Sequence, residues 1–391
     1  MLLAVGKASA PMMKAAIDVL RDFPVYGVLV APKGGELSAF DERIEVFRTG
    51  HPIPDRDGLV ASQHVIAVLN KMDEDELLIC LISGGASAML PAPSGSISLT
   101  EKKRVTEQLV KSRATIHEIN TVRRHLSDLK GGRLVERCPA ATILSFMVSD
   151  VPGDYLLDIG SGLTVEDPTS YRDAIEVLKM HNLWIEAPQQ VKQHLARGLR
   201  GEVPDTPKPG NPAFQKVHNI IIANNRTACT AAANALKASR VPSVILTSLA
   251  EMEASTMGKL LASTAIECKQ VARSRLVILG GETTVQVKGD GLGGRNQETI
   301  LSAVEKIANL KGTVVAALGT DGIDGNSPAA GAIADGNTAQ RANRKHMNPR
   351  SFLARNDSYR FFKELNDSLV TGRTGTNVAD LYLMLSLESN N

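Results

Sequence analysis

The sequence predicts an α/β fold in two domains, from three observations. Short apolar runs with strand character alternate with helical patterns along most of the chain. Many of those runs end in glycine mixed with Ser, Asp or Lys. A stretch at 198–212, GLRGEVPDTPKPGNP, packs four prolines and three glycines into fifteen positions and reads as a crossing or linker. At roughly 100–200 residues per domain, 391 residues suit two such bodies. We therefore expect one domain over 1–205 and another over 213–391.

In chain order, Leu2–Val5 is the first strand. Gly6-Lys7-Ala8-Ser9 turns it into a helix, APMMKAAIDVL, with Pro11 near the first turn where its missing N–H costs nothing. Leu77–Ile82 is a buried strand running into Ser83-Gly84-Gly85-Ala86-Ser87. A helix over about 99–112 has Ser98 followed three residues on by Glu101, a capping box. Another, over about 116–129, stops at Gly131-Gly132. Strand Ile143–Val148 delivers Ser149-Asp150-Val151-Pro152-Gly153-Asp154, and Asp167-Pro168 is expected to cap a helix to about 181. Past the Pro/Gly stretch come strands Val217–Ala223, Ser243–Thr247, Leu276–Leu279 and Thr313–Leu318. No internal repeat of about 20–50 residues is visible.

Composition narrows the function class. Forty-four basic against 42 acidic residues leave a net charge of +2, so no strong attraction to nucleic acid or anionic membrane is expected. No apolar run reaches the ~18 residues of a membrane helix, and MLLAV lacks the basic flank and cleavage site of a signal peptide. Cys80, Cys138, Cys229 and Cys268 are scattered, as reduced thiols are. The expectation is a soluble cytoplasmic enzyme acting on a small molecule, monomeric or homodimeric.

Several motifs fail. Gly6-Lys7 and Gly258-Lys259 lack the spacing and the following Ser or Thr of a phosphate-binding P-loop. His117-Glu118 has no second histidine at zinc spacing, and Gly85-Ala86-Ser87-Ala88-Met89 lacks the closing glycine of a hydrolase elbow. Gly289-Asp290-Gly291-Leu292-Gly293-Gly294 does satisfy G-x-G-x-x-G. Against it, the preceding TTVQVKG alternates polar and apolar, Asp290 places a negative charge in the loop, and no acid lies about 20 residues on. An NAD(P)-dependent hydroxypyruvate reductase-type oxidoreductase would rest on this motif alone.

The strand-end clusters GKAS, SGGAS, SDVPGD, GGETT and GTDGIDG are another matter. In open α/β sheets ligands bind beyond the carboxyl ends of strands, and glycine lets the backbone approach them. Five such clusters in one chain point to an anion-handling cleft. Phosphoryl transfer requires cations on the moving group, a metal site and an aligned hydroxyl. Lys7 and Arg295 are candidate cations, set against the plainer reading of solvated surface residues. Asp321 and Asp324, flanking Gly322, are candidate Mg²⁺ ligands, against a turn closed by Asx bonds. Asp150 is a similar candidate, against a cap. Arg123 or Arg124 could clamp a carboxylate, against a solvated helix face.

The blocks ISGGASAMLPAP (82–93), EINTVRRHLSDLKGGRL (118–134), SDVPGDYLLDIGSG (149–162), GGETTVQVKGDGLGGRNQE (280–298), GTDGIDG (319–325) and GTNVADL (375–381) resemble the glycerate 2-kinase family, the two-domain type with a C-terminal MOFRL domain. The resemblance runs from Gly6 almost to the end. It implies ATP- and Mg²⁺-dependent phosphorylation of D-glycerate to 2-phosphoglycerate. It also implies a Rossmann-like N-terminal domain, a mixed α/β second domain with the MOFRL part at about 275–385, and an active site in the cleft between them. Carried over by motif, the family's site residues fall on Lys7, Asp150, Arg295, Asp321 and Asn377. Charge type then suggests Lys7, Arg295 and Asp321 as catalytic residues and Asp150, Asp321 and Asp324 as the metal set. Substrate and nucleotide binding falls on Ser83, Gly84, Gly85, Ser87, Arg123, Gly280, Gly281, Glu282 and Asn377. Against the family pattern the first domain starts short. Leu163 stands in SGLT for a proline, Arg373 in TGRTGTN for another, and Arg113 in KSRAT for a turn glycine. These departures leave a catalytically impaired, ligand-binding relative as a second alternative.

Overall fold

A computed structural model describes residues 1–34 and 39–388. The chain divides into two compact units, Met1–Ile222 and Ala223–Asn391. The Pro/Gly stretch at 198–212 is therefore not the point of division. The backbone N–H of Asp167 donates to the carbonyl of Pro207 at 2.8 Å and His125 contacts Asp205 at 3.0 Å, so the stretch packs onto the first unit. The strand after it, Val217–Ala223, joins the first sheet instead of opening the second.

The first sheet contains β1 (Leu2–Val5), β2 (Gly27–Pro32), β3 (Ile44–Thr49), β4 (Leu77–Ser83), β5 (Thr142–Val148) and β6 (Val217–Ala223), in the order β3-β2-β1-β4-β5-β6. The pairs β1–β2, β2–β3, β1–β4 and β4–β5 are all parallel. This is a doubly wound order, and it reverses between β1 and β4. Alternation along the strands buries both faces. Leu3, Val5, Val28, Val30, Leu78 and Cys80 share one apolar cluster, into which helix Arg56–Leu69 packs Ala61, Val65 and Leu69. Leu2, Ala4, Leu29, Ala31, Ile79 and Leu81 share another with Met13 of helix Ser9–Val19. Parallel sheets require such two-sided cover.

A helical layer adds a third cluster, from helices Leu99–Lys111, Ile116–His125, Tyr171–Met180 and Gln189–Leu199. The capping box of Ser98 and Glu101 forms as the sequence predicts. Asp167 does not cap the next helix. Ser170 does, paired with Asp173, because Asp167 is drawn inward to Arg124, its carboxylate 3.0 Å from the guanidinium.

The second sheet is mixed. It holds β7 (Ser243–Ala250), β8 (Arg275–Gly281), β9 (Thr313–Gly319), β10 (Gly331–Asp335), β11 (Ser368–Leu369) and β12 (Asp380–Ser386), ordered β11-β10-β9-β12-β8-β7. Only β7–β8 is parallel; β12 runs antiparallel to both β8 and β9. Helices Ala254–Gln270, Arg295–Ala303 and Ser358–Leu365 cover one face, and helix Asn225–Ala235 packs Cys229 on the other.

Arg113 sits at φ +62°, just past the end of helix Leu99–Lys111, in the left-handed conformation that favours glycine. Arg113→Gly should stabilise the first unit by about 1 kcal/mol. Trp184, the one tryptophan, packs on the helical layer and gives the fluorescence signal. A urea midpoint that falls would contradict this account of the turn.

Candidate active site

In the first unit the loops after β1, β4 and β5 interlock. The Lys7 N–H donates to the Gly84 carbonyl at 2.8 Å, and the Ala8 N–H to Ser83 Oγ at 3.0 Å. Both contacts lie where the strand order reverses, the crevice in which doubly wound sheets bind ligands. A Cβ on Gly84 would fall 2.0 Å from Oδ2 of Asp150, so only glycine lets the β5 loop close in. Lys7, Ser83, Gly84, Gly85 and Asp150 thus form one cluster. A hydrogen-bond chain ties in the two remaining candidates of this unit. Ser87 Oγ is 2.7 Å from Ser161 Oγ, which donates to Asn120 Oδ1 at 2.9 Å. Arg123 reaches the same Oδ1 at 3.4 Å, and Asn120 Nδ2 donates to Asp158 at 2.9 Å. Between the adjacent arginines the structure discriminates. Arg124 is buried against Asp158 and Asp167 as an internal ion pair, whereas Arg123 lines a cavity.

In the second unit the antiparallel sense of β12 puts its first residue beside the carboxyl ends of β8 and β9. Asp380 pairs in register with Gly281 and with Gly319. Gly280 has no room for a side chain: a Cβ would lie 1.7 Å from Asn225 Oδ1, whose amide nitrogen donates to the carbonyls of Val378 and Asp380. Arg295, the first residue of its helix, meets Asp380 through Nε at 2.5 Å and Nη2 at 3.1 Å, and Glu282 through Nη1 at 2.7 Å. Burial works against the charge, but hydrogen bonding to Asp380 and both carboxylates outweigh it and hold the guanidinium charged more firmly than usual. Tyr382 buttresses Asp380 at 3.1 Å. Arg295, Glu282 and Gly294 line a cavity of about 530 Å³. Asp380 is the residue that the motif reading missed. It lies inside the block GTNVADL (375–381), where only Asn377 is singled out, and it opens the apolar strand DLYLMLS.

Two candidate acids in this unit serve the backbone. Asp321 Oδ1 accepts the Ile323 N–H at 3.1 Å, the Asx turn that its sequence context allows, and its carboxylate still faces Gly319 beside Asp380. Asp324 has another task. Its oxygens accept the backbone N–H groups of Asn296 and Gln297 at 3.1 and 2.9 Å and both side-chain amides at 3.3 and 2.9 Å. It caps helix Arg295–Ala303, and burial raises its pKa despite those bonds. Asn377 Oδ1 accepts the Ala379 N–H at 3.3 Å in the turn before β12. Among the described residues, no group of three or more His, Cys, Asp or Glu is placed to hold a metal ion.

The glycine run at 289–294 is not a dinucleotide loop. No strand leads directly into it, and four of its six N–H groups are already engaged. Gly289 donates to Asn356 at 3.0 Å, Gly291 to Arg355 at 3.0 Å, Leu292 to Asp357 at 2.9 Å and Gly293 to Asn326 at 2.8 Å.

Residues 1–196 match the family described as a domain of unknown function (DUF4147), and residues 275–380 match the MOFRL family. A glycerate 2-kinase of Pyrococcus horikoshii is 39% identical over 98% of this chain and 86% of its own length. The chain belongs to the glycerate 2-kinase family. The crystal structure of a glycerate kinase from Thermotoga maritima superposes with a TM-score of 0.90 at 37% identity, covering 99% of this chain and 91% of that one. A relative from Agrobacterium vitis that carries hydroxypyruvate reductase in its name is 37% identical over 97% of this chain and 85% of its own length. Where this glycerate 2-kinase family member departs from the expected pattern, Leu163 is absorbed into the first core cluster and Arg373 lies exposed.

Asp324→Ala should leave the first N–H groups of helix Arg295–Ala303 without partners and cost about 2–3 kcal/mol locally. Amide exchange at Asn296 and Gln297 would accelerate accordingly. Unchanged protection there would show that the cap does not hold the helix.

Proposed function

We propose that this chain transfers the γ-phosphoryl group of ATP, with Mg²⁺, to the 2-hydroxyl of D-glycerate, giving 2-phosphoglycerate. The observation that carries this reading is the Arg295–Asp380–Glu282 arrangement at the ends of β8 and β9: a guanidinium fixed by a buried carboxylate and aimed beside a glycine-lined cavity. Pre-set cations are what a loose, charge-spread phosphoryl transition state needs. Lys7 supplies a second cation, on the loop of the strand-order reversal. Mg²⁺ is commonly held by one or two carboxylates together with substrate phosphates, so a three-acid cage is not required. Asp321 and Asp150 are then the fitting ligands, or one of them accepts the hydroxyl proton. Asp324, held by four N–H donors, orients the Arg295 helix and leaves the metal set. Ser83, Gly84, Gly85 and Ser87 in the first unit, and Gly280, Gly281, Glu282 and Asn377 in the second, are in this reading the groups that bind substrate or nucleotide. The oxidoreductase reading is weakened, since four of the six N–H groups of that loop are engaged within the protein.

Incubation with ATP, Mg²⁺ and D-glycerate should give a 2-phosphoglycerate resonance by ³¹P NMR. A 3-phosphoglycerate signal would overturn the regiochemistry, and no product from folded protein would overturn the kinase. Lys7→Ala and Arg295→Ala should each lower kcat by about 10²–10³. Non-additive losses in the double variant would show that the two cations serve one reaction, and near-normal turnover in both single variants would refute their assignment.

A further inference from the structure

The first unit contains a cavity of about 370 Å³ with a marked charge imbalance. Its lining carries Lys102, Lys103, Lys111, Arg123 and Lys130 against one carboxylate, Glu107. Lys102 and Lys130 are buried, and neither forms an ion pair among the described residues: Lys102 Nζ donates to the carbonyls of Pro91 and Leu126 at 2.6 and 2.8 Å, and Lys130 Nζ to that of Leu90. Burying ammonium groups without a counter-charge is costly, and cores normally avoid it. Elsewhere in the same unit the chain does avoid it, since buried Arg124 has Asp158 and Asp167 beside it. An ammonium has three donors, so at least one N–H of each lysine remains after these bonds.

The rim of this cavity carries Ser87, from the 83–87 loop that is hydrogen-bonded to the Lys7 loop. From its position in the lining, an anion in the cavity would lie alongside that loop. The apolar part of the wall includes Pro91, which is buried, and Leu99, which is half-buried, whereas Ile53 and Val110 at its outer side are exposed. We infer that Lys102, Lys130 and Arg123 form the subsite for the carboxylate of the hydroxy-acid acceptor, a role that rests on the kinase reading given above. Two ammonium groups and a guanidinium match the two oxygens of a carboxylate. The ligand supplies the counter-charge that the fold withholds.

The protonation state of the lysines adds a readout. Burial, with Arg123 beside it, lowers Lys130 to about 7. Burial also lowers Lys102 well below the usual lysine range, with Lys130, Arg123 and Arg133 acting in the same sense and Asp128 opposing them. A bound carboxylate raises both values, so binding at pH 8 must take up protons.

The test is calorimetric titration of D-glycerate into the full chain, with ADP and Mg²⁺ present, in two buffers of different ionisation enthalpy. The expected result is net uptake of about one proton or more at pH 8, with affinity falling up to about tenfold per pH unit above that. Binding without proton uptake overturns the subsite. In turnover, Lys102→Met and Lys130→Met should each raise KM for D-glycerate by about tenfold or more and leave KM for ATP within about twofold. A purely structural task, pinning the Leu90–Pro91 bend, would lower the thermal midpoint without that split in KM. The two readings fail separately. An unaltered chain that transfers no phosphate to D-glycerate overturns the kinase and the subsite with it. An unaltered chain that turns over D-glycerate while both variants keep its KM overturns the subsite alone.

Discussion

Strand direction is the constraint from which the candidate site follows. In the first sheet β1, β4 and β5 are parallel, so their carboxyl ends, and the loops after them, must emerge at one edge. That places Lys7, the Ser83-Gly84 pair and Asp150 together although the three loops that carry them lie far apart in sequence. The second sheet reaches a similar result by another route. There β8 and β9 end at one edge, and β12 runs between them in the opposite sense, so its first residue, Asp380, arrives where theirs are last. A carboxylate at the beginning of one strand thus anchors an arginine at the beginning of a helix.

Charge is handled in two ways within the first unit. Arg124 is buried with carboxylates from two separate segments, an arrangement whose desolvation cost is offset by pairing and whose disruption would leave a bare charge. Lys102 and Lys130 are buried with carbonyl oxygens only. Carbonyl dipoles solvate an ammonium but do not neutralise it, and the lowered pKa values reflect that difference. The contrast is informative because both arrangements occur in one fold. The chain pairs the structural arginine with two acids, whereas among the described residues neither lysine forms an ion pair, Asp128 acting on Lys102 only from a distance.

Legibility in the sequence followed the same division between local and long-range causes. Apolar runs ending in Gly, Ser and Asp mark strand ends by local chemistry, so Lys7, Asp150, the 83–87 loop and Arg295 could all be singled out. The strained turn at Arg113 was also open to a motif comparison, because a side chain stood where a turn glycine belongs. Strand sense was not. Nothing in DLYLMLS tells that it runs antiparallel between β8 and β9, so Asp380, though inside the block GTNVADL, carries no local sign of its pairing with Arg295. Asp324 reads as a metal ligand on its local setting alone, a second acid near Gly322 after a buried strand. Its partners are the N–H groups of a helix 27–28 residues earlier, a relation that only the tertiary fold creates. The domain division was displaced for a similar reason. A Pro/Gly-rich stretch marks irregular chain, but irregular chain can pack tightly, and Asp205 and Pro207 do so.

The two buried lysines show why burial is harder to read than position. Lys102 follows the capping box of an amphipathic helix by one residue, and Lys130 precedes a double glycine; both settings are ordinary for exposed lysines. Neither setting betrays that the side chain turns inward. What turns them inward is the bend at Leu90–Pro91, whose carbonyl groups have no ladder partner and accept the ammonium groups instead. Each lysine therefore satisfies a backbone need while leaving a charge need open. A fold that meets the first requirement with a titratable amine keeps at the wall of a cavity a group whose charged form burial disfavours, and which an anionic ligand would hold protonated.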